Sequence, residues 1–91
     1  MTETPHVTLN VNLKYFASIR EAIGQGGETV RTQATTLNAL RDELLARGGA
    51  YAEVLAPGRA VRTALNQDLC DGDAALSEGC EVAFFPPVTG G

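Results

Sequence analysis

Val7-Thr8-Leu9-Asn10-Val11-Asn12-Leu13-Lys14-Tyr15 alternates without a break. Val7, Leu9, Val11, Leu13 and Tyr15 fall on one side of an extended chain, and Thr8, Asn10, Asn12 and Lys14 on the other. That is the period of a strand with one face buried. Phe16 then falls on the outer face or opens the turn. A second clear strand signal, Glu81-Val82-Ala83-Phe84-Phe85, stands near the other end of the sequence. There Val82 and Phe84 share one face, Ala83 and Phe85 the other.

The segments between these two strands read as follows. Ser18 is placed to cap a short helix over residues 19–23, with Ile19, Ala22 and Ile23 on one side and Gly24 as its stop. Gly24, Gly26 and Gly27 do not make a phosphate loop, because neither a Lys-Ser/Thr pair nor a helix start follows them. Residues 28–34 read as a short strand with Val30 as its main core residue. Thr36 suits the N-cap of the main helix, residues 37 to about 47, whose Leu37, Leu40 and Leu44 share a face. Glu43 and Arg47 have the spacing of an i,i+4 ion pair, and Arg47 is expected in the last turn, where the helix dipole favours a cation. Gly48-Gly49 ends that helix, and residues 51–55 fit one further helical turn. Val61, Thr63 and Leu65 form the inner side of a third strand, residues 66–68 turn the chain, and Leu69-Cys70 is a short strand. Leu76 is a core plug before the last turn. The pattern predicts an α+β roll, a mixed sheet under one main helix. Its expected core is Leu13, Tyr15, Val30, Leu37, Leu40, Leu44, Leu65, Val82 and Phe84.

The chain has 91 residues, enough for one compact core. Seven basic against eleven acidic residues give a net charge of −4, which argues against nucleic acid as a partner, since phosphate neutralisation needs a basic face. No apolar run approaches a membrane span. Residues 1–6 carry neither a basic nor an apolar signal region and read as a disordered lead, so a cytoplasmic location is expected. Beyond Arg62 there is no Lys or Arg, while Asp68, Asp71, Asp73, Glu78 and Glu81 follow. These acids are either solvated loop residues or a means of steering the tail end of the domain to a basic cleft. Cys70 and Cys80 form no metal-ligand spacing with the single His6 and are expected reduced, at least one packed as a small hydrophobe. One histidine allows no Ser-His-Asp set, and Asp71 and Asp73 sit in a turn. The chain therefore reads as a carried substrate rather than an enzyme, with no catalytic residue, no metal site and no bound cofactor of its own.

The residues that carry the functional reading are Phe84-Phe85-Pro86-Pro87-Val88-Thr89-Gly90-Gly91. Pro86 and Pro87 fix φ and lack an N–H, so the strand cannot continue past them. Gly90 and Gly91 have no Cβ and fit a narrow slot. The pattern predicts residues 7–85 as the domain and residues 86–91 as an extended arm that presents the carboxylate of Gly91 to another protein. The plain alternative is a frayed end.

From Glu81 to Gly91 the sequence resembles the small subunit of molybdopterin synthase, a family of ubiquitin-like sulfur carriers, and the likeness extends over roughly residues 9–91. One turn departs from the family pattern, with Gly79-Cys80-Glu81-Val82 where Gly-Asp-Glu-Val is usual. The resemblance implies the β-grasp fold, with the first and last strands as central parallel neighbours. It implies adenylation of Gly91, with ATP, by an enzyme related to those that activate ubiquitin, then replacement of AMP by sulfur to give a thiocarboxylate. It also implies insertion of the tail into the large catalytic subunit, where the sulfur passes to cyclic pyranopterin monophosphate during molybdenum cofactor synthesis. Carried over, Gly91 bears the sulfur, Gly90, Thr89, Val88, Pro87 and Pro86 occupy the partner's channel, and Phe85 is the partner anchor. Carriers for thiamine or cysteine synthesis share the fold and the Gly-Gly end, as do modifiers attached to lysines.

Overall fold

The computed structural model describes residues 8–56 and 58–87. The expected lead (residues 1–6), Val7, and Val88, Thr89, Gly90 and Gly91 of the expected arm lie outside the described residues. In chain order the elements are β1 (Leu9–Tyr15), α1 (Ala17–Ile23), β2 (Gly27–Thr32), α2 (Leu37–Leu45), α3 (Gly49–Val54), β3 (Arg62–Leu65), β4 (Asp68–Leu69) and β5 (Glu81–Phe85). The five strands form one sheet in the order β2-β1-β5-β3-β4. The two strands with the strongest sequence signal are its central pair. They run parallel, with Leu13 opposite Val82 and Tyr15 opposite Phe84. The remaining pairings are antiparallel.

One face of this sheet is covered by helix. Val11, Leu13 and Tyr15 of β1 and Val82 and Phe84 of β5 are at most 1% exposed, and so are Leu37, Leu40 and Leu44 of α2. Burial of each such side chain stabilises the fold by about 1.5–3 kcal/mol. Thr36 caps α2, its side chain accepting from the Ala39 N–H at 3.3 Å. Two further N–H groups of the first turn are satisfied from outside the helix, Leu37 by the Ala74 carbonyl and Asn38 by that of Gly72. Of the expected core, Val30 and Leu65 pack against the cluster but are only half-buried. Val11, Ile19, Ala34, Leu55 and Cys80 complete it.

Four local expectations are corrected. Ser18 does not cap α1; the helix begins earlier, Phe16 is its N-cap, and no side chain bonds the cap position. Instead the Phe16 carbonyl accepts from both Ile19 and Arg20 N–H groups, and Ala17 takes φ +52° to make the sharp entry. Second, α2 stops at Leu45, so Arg47 is not in its last turn. Third, Glu43 and Arg47 do not pair: Glu43 accepts from the buried Thr32 hydroxyl, while Gly48 at φ +74° turns the chain and Arg47 reaches Glu28 at 2.9 Å. Fourth, the turn expected over residues 66–68 is one residue shorter: Asp68 already belongs to β4, and Cys70 lies past its end. Asn66 and Gln67 both have positive φ, +51° and +73°, the pattern of a two-residue type I′ hairpin joining β3 to β4.

Among the described residues, the second face of the sheet carries no helix. In register, Asn10 and Asn12, Lys14, Ala83, Ala64 and Leu69 follow one another across it from β1 to β4. Leu69 is 72% exposed.

Candidate functional site

Phe85, Pro86 and Pro87, the described root of the expected arm, border this open face. Phe84 points inward and is fully buried, and Phe85, one residue on, is half-buried and belongs to the other side. The strand ends there, and Pro86 and Pro87 continue without ladder bonds, as the missing N–H groups dictate. Directly beside Phe85 stands a second outward aromatic. Phe16 follows the buried Tyr15 just as Phe85 follows the buried Phe84; it is 48% exposed, and its N–H donates to the Phe84 carbonyl at 3.2 Å. Phe16, Ala17, Ala83, Phe85, Pro86 and Pro87, with Gln67 and Glu81 at its polar side, line an open, largely apolar groove of about 580 Å³. Pro86 also lines a second cavity, of about 320 Å³, with Ile19, Val54, Val61 and Arg59.

The expected placement of Phe85 outside the core agrees with this geometry. Phe16 was the residue that the sequence reading left undecided between outer face and turn; it is both. Its signal was the repeated doublet, Tyr15-Phe16 and Phe84-Phe85, in which one ring faces in and the next faces out.

Behind the aromatic root lies a polar cluster that the sequence did not announce. Glu28 of β2 accepts hydrogen bonds from the Tyr15 hydroxyl at 2.9 Å, the Tyr51 hydroxyl at 2.8 Å, Gln25 Nε2 at 3.1 Å and Arg47 Nη1 at 2.9 Å. The Arg47 guanidinium also lies over the Tyr51 ring, 4.9 Å from its centroid. Desolvation on its own would raise the Glu28 pKa; the hydrogen bonds from Arg47, Tyr51 and Tyr15 outweigh it and hold the carboxyl below the ordinary glutamate value. Burial, and after it the bond to Glu28 and its charge, push the Tyr15 phenol far up.

Of the acidic residues of the C-terminal third, Glu81 lines the groove beside Phe85. Asp68 pairs with Leu65, which is opposite Val82; Asn66 N–H donates to the Glu81 carbonyl; and Glu78 holds Asn10. Asp68, Glu78 and Glu81 therefore surround the start of β5, roughly 13 Å along the strand from where the chain exits. Across from Phe85 itself is Arg62. Cys80 is 3% exposed and part of the core. Cys70 is half-buried, its Sγ 3.9 Å from the Thr63 hydroxyl. Among the described residues, no three of His, Cys, Asp and Glu come together as a metal set, and no helix is long and apolar enough to cross a membrane.

Comparison with known proteins bears on this geometry. The model of the ThiS family matches residues 13–91, from the second half of β1 through the aromatic root to the Gly-Gly pair. The chain belongs to the ThiS family. Among curated relatives of this ThiS-family chain is the molybdopterin synthase sulfur carrier subunit of Escherichia coli (strain K12), 40% identical over 81 residues, covering 89% of this chain and 99% of the relative. In structure it is similar to the Haloferax volcanii HVO 2177 protein, with TM-score 0.79 and 28% identity over 100% of this chain and 94% of that one. It is also similar to a chain from the complex of subunits 1 and 2 of the molybdopterin-converting factor of Helicobacter pylori 26695. There the TM-score is 0.63 and the identity 28%, over 91% of this chain and 100% of that one. Its fold is the ubiquitin-like β-grasp that the sequence predicted.

Proposed function

We propose that this chain is a sulfur carrier for molybdopterin synthesis, acting in the cytoplasm as the non-catalytic small partner of a large catalytic subunit. One observation carries the reading. The strand that ends in Phe85 hands the chain to Pro86-Pro87 on an open apolar face with two outward aromatics, in a chain that matches its family through Gly91. Supporting it, the Escherichia coli relative is named as a sulfur carrier subunit, and the Helicobacter pylori neighbour was solved with its partner subunit.

The chemistry follows from the arm. A C-terminal carboxyl has a pKa of about 3.3–3.7, so it is ionised at neutral pH and resists nucleophiles. An activating enzyme related to those of ubiquitin overcomes this. A carboxylate oxygen of Gly91 attacks the α-phosphorus of ATP and pyrophosphate leaves. Sulfide, or a persulfide whose S–S bond a second thiol then cleaves by forming a disulfide with the donor, attacks the acyl carbon; AMP leaves and the thiocarboxylate remains. Phe85 and Phe16 dock on the large subunit, while Pro86, Pro87, Val88, Thr89 and Gly90 pass through its channel. Delivery to cyclic pyranopterin monophosphate returns the Gly91 carboxylate. No cofactor stays on this chain; ATP belongs to the activating enzyme.

Intact-mass analysis of the C-terminal peptide tests this, after incubation with an activating enzyme, ATP and a sulfur donor. One oxygen replaced by sulfur on the peptide ending in Gly91, lost again on adding large subunit and cyclic pyranopterin monophosphate, is the expected result. A branched Gly91–lysine peptide without sulfur indicates a modifier instead. Sulfur that is loaded but never passed to the pterin indicates a carrier for thiamine or cysteine synthesis.

A further inference from the structure

We infer that Glu28 is a positioning residue for partner docking, acting through Tyr15 and Phe84 on the two outward aromatics without touching the docking face itself. The inference rests on the sulfur-carrier reading above, since that reading supplies the partner.

The geometry runs in three contacts. Glu28 fixes the Tyr15 hydroxyl at 2.9 Å. The Tyr15 ring stacks on Phe84, centroids 6.1 Å apart and planes 18° from parallel. Tyr15 and Phe84 are register partners on the parallel central strands, and each is followed at once by an outward aromatic, Phe16 and Phe85. The Phe16 N–H to Phe84 carbonyl bond ties the two doublets together. Any tilt of the inner pair must therefore be transmitted to the outer pair. Interiors are close-packed and pass strain on rather than absorbing it.

Glu28 is suited to hold that pair still. Its carboxylate gathers donors from four separate parts of the fold: β1 (Tyr15), the turn before β2 (Gln25), the segment after α2 (Arg47) and α3 (Tyr51). Tyr51 adds an edge-on contact to the Tyr15 ring, centroids 6.3 Å apart. A second carboxylate with comparable bonding supplies the contrast. Glu78 accepts from the Asn10 N–H at 3.0 Å and from Asn10 Nδ2 at 2.9 Å, but at the end of β5 remote from the arm. If carboxylates in this fold only add stability, the two act alike; if Glu28 positions the aromatics, they differ.

The test compares the full-length chain with its Glu28→Gln, Tyr15→Phe, Glu28→Gln/Tyr15→Phe and Glu78→Gln variants, each titrated into a purified molybdopterin synthase large subunit under conditions where circular dichroism shows them folded. Glu28→Gln and Tyr15→Phe should each bind about five-fold or more weakly. The double variant should bind no more weakly than Glu28→Gln alone, because both act along one path. Glu78→Gln should bind as the unaltered chain does. Unchanged affinity in Glu28→Gln, additive losses in the double variant, or an equal loss in Glu78→Gln overturns the inference. Should Glu28→Gln fail to fold, Tyr15→Phe, which keeps the ring and removes only one hydroxyl, decides by the same comparison. If the unaltered chain itself does not bind the large subunit, it is the functional reading that falls, and this inference with it.

Discussion

Phe84 and Phe85 are adjacent, chemically identical and placed on opposite faces, so truncating each in turn separates stability from docking. Phe84 is 0% exposed and sits in the core against Tyr15. Removing a buried phenylalanine ring costs about 3–5 kcal/mol. A small domain has about 5–15 kcal/mol in total, and at this size 1 kcal/mol moves Tm by roughly 4–8 °C. Phe84→Ala should therefore lower Tm by roughly 12–40 °C. Phe85 lies outside the core cluster and walls the open groove. Phe85→Ala should cost less than about 1 kcal/mol in stability while weakening large-subunit binding by about 2 kcal/mol, the scale of an aromatic hot spot. Thermal melts by circular dichroism and titration calorimetry with the large subunit measure the two quantities. If Phe85→Ala melts as low as Phe84→Ala, or if Phe84→Ala keeps its melting temperature, the strand register argued here is off by one residue.

Other perturbations follow from the same structure. The Glu28 pKa is depressed on folding, so its contribution is present above the ordinary glutamate pKa and is lost as pH falls through the lower folded value. Urea melts should show the chain losing more stability below about pH 4.5 than Glu28→Gln does, and Glu28→Gln should cost about 1–3 kcal/mol at neutral pH. The Tyr15 pKa is raised on folding, so stability should fall as pH rises above about 10, less steeply in Tyr15→Phe. Gln67→Gly, which relieves a positive φ in the β3–β4 turn, should raise stability by about 1 kcal/mol in the same melts. A Cys70→Ser, Cys80→Ser chain that folds should still acquire sulfur at Gly91, as read by intact mass; loss of loading despite a native circular dichroism spectrum would give the thiols a chemical role.

The fold was legible where periodicity is strong and context weak. The alternation of residues 9–15 and the Leu37, Leu40, Leu44 face hold as read, and the chain turns at Asn66-Gln67, one residue short of the expected 66–68. What escaped depends on where the chain goes next. Ser18 looked like a cap because serine at that spacing commonly is one, but the entry to α1 is made by Ala17 in the left-handed region, which no local preference favours. Glu43 and Arg47 looked paired because they are four apart. The helix ends before Arg47, and the Gly48 turn sends it to Glu28, nineteen residues earlier in the chain. Glu28 read as an ordinary polar strand residue, since its partners come from distant segments and leave no pattern around it. In the candidate site, Phe85 followed from alternation alone. Phe16 needed knowledge that β1 and β5 are neighbours, and the acids after Arg62 needed the register to place Asp68, Glu78 and Glu81 around the start of β5.

The most direct test of the carrier reading is a reconstituted synthesis with Gly91 altered and the fold left intact. The chain lacking Gly91 and a chain with one residue appended after it are compared with the unaltered chain, using activating enzyme, ATP, sulfur donor, large subunit and cyclic pyranopterin monophosphate. Both changes fall at least six residues past the end of β5 in the sequence, and misplacing a reacting atom by even ~1 Å can cost on the order of 100-fold in rate. The carrier reading predicts normal melting for both chains and no molybdopterin from either. Molybdopterin formed at the full rate by the chain that lacks Gly91 would contradict it.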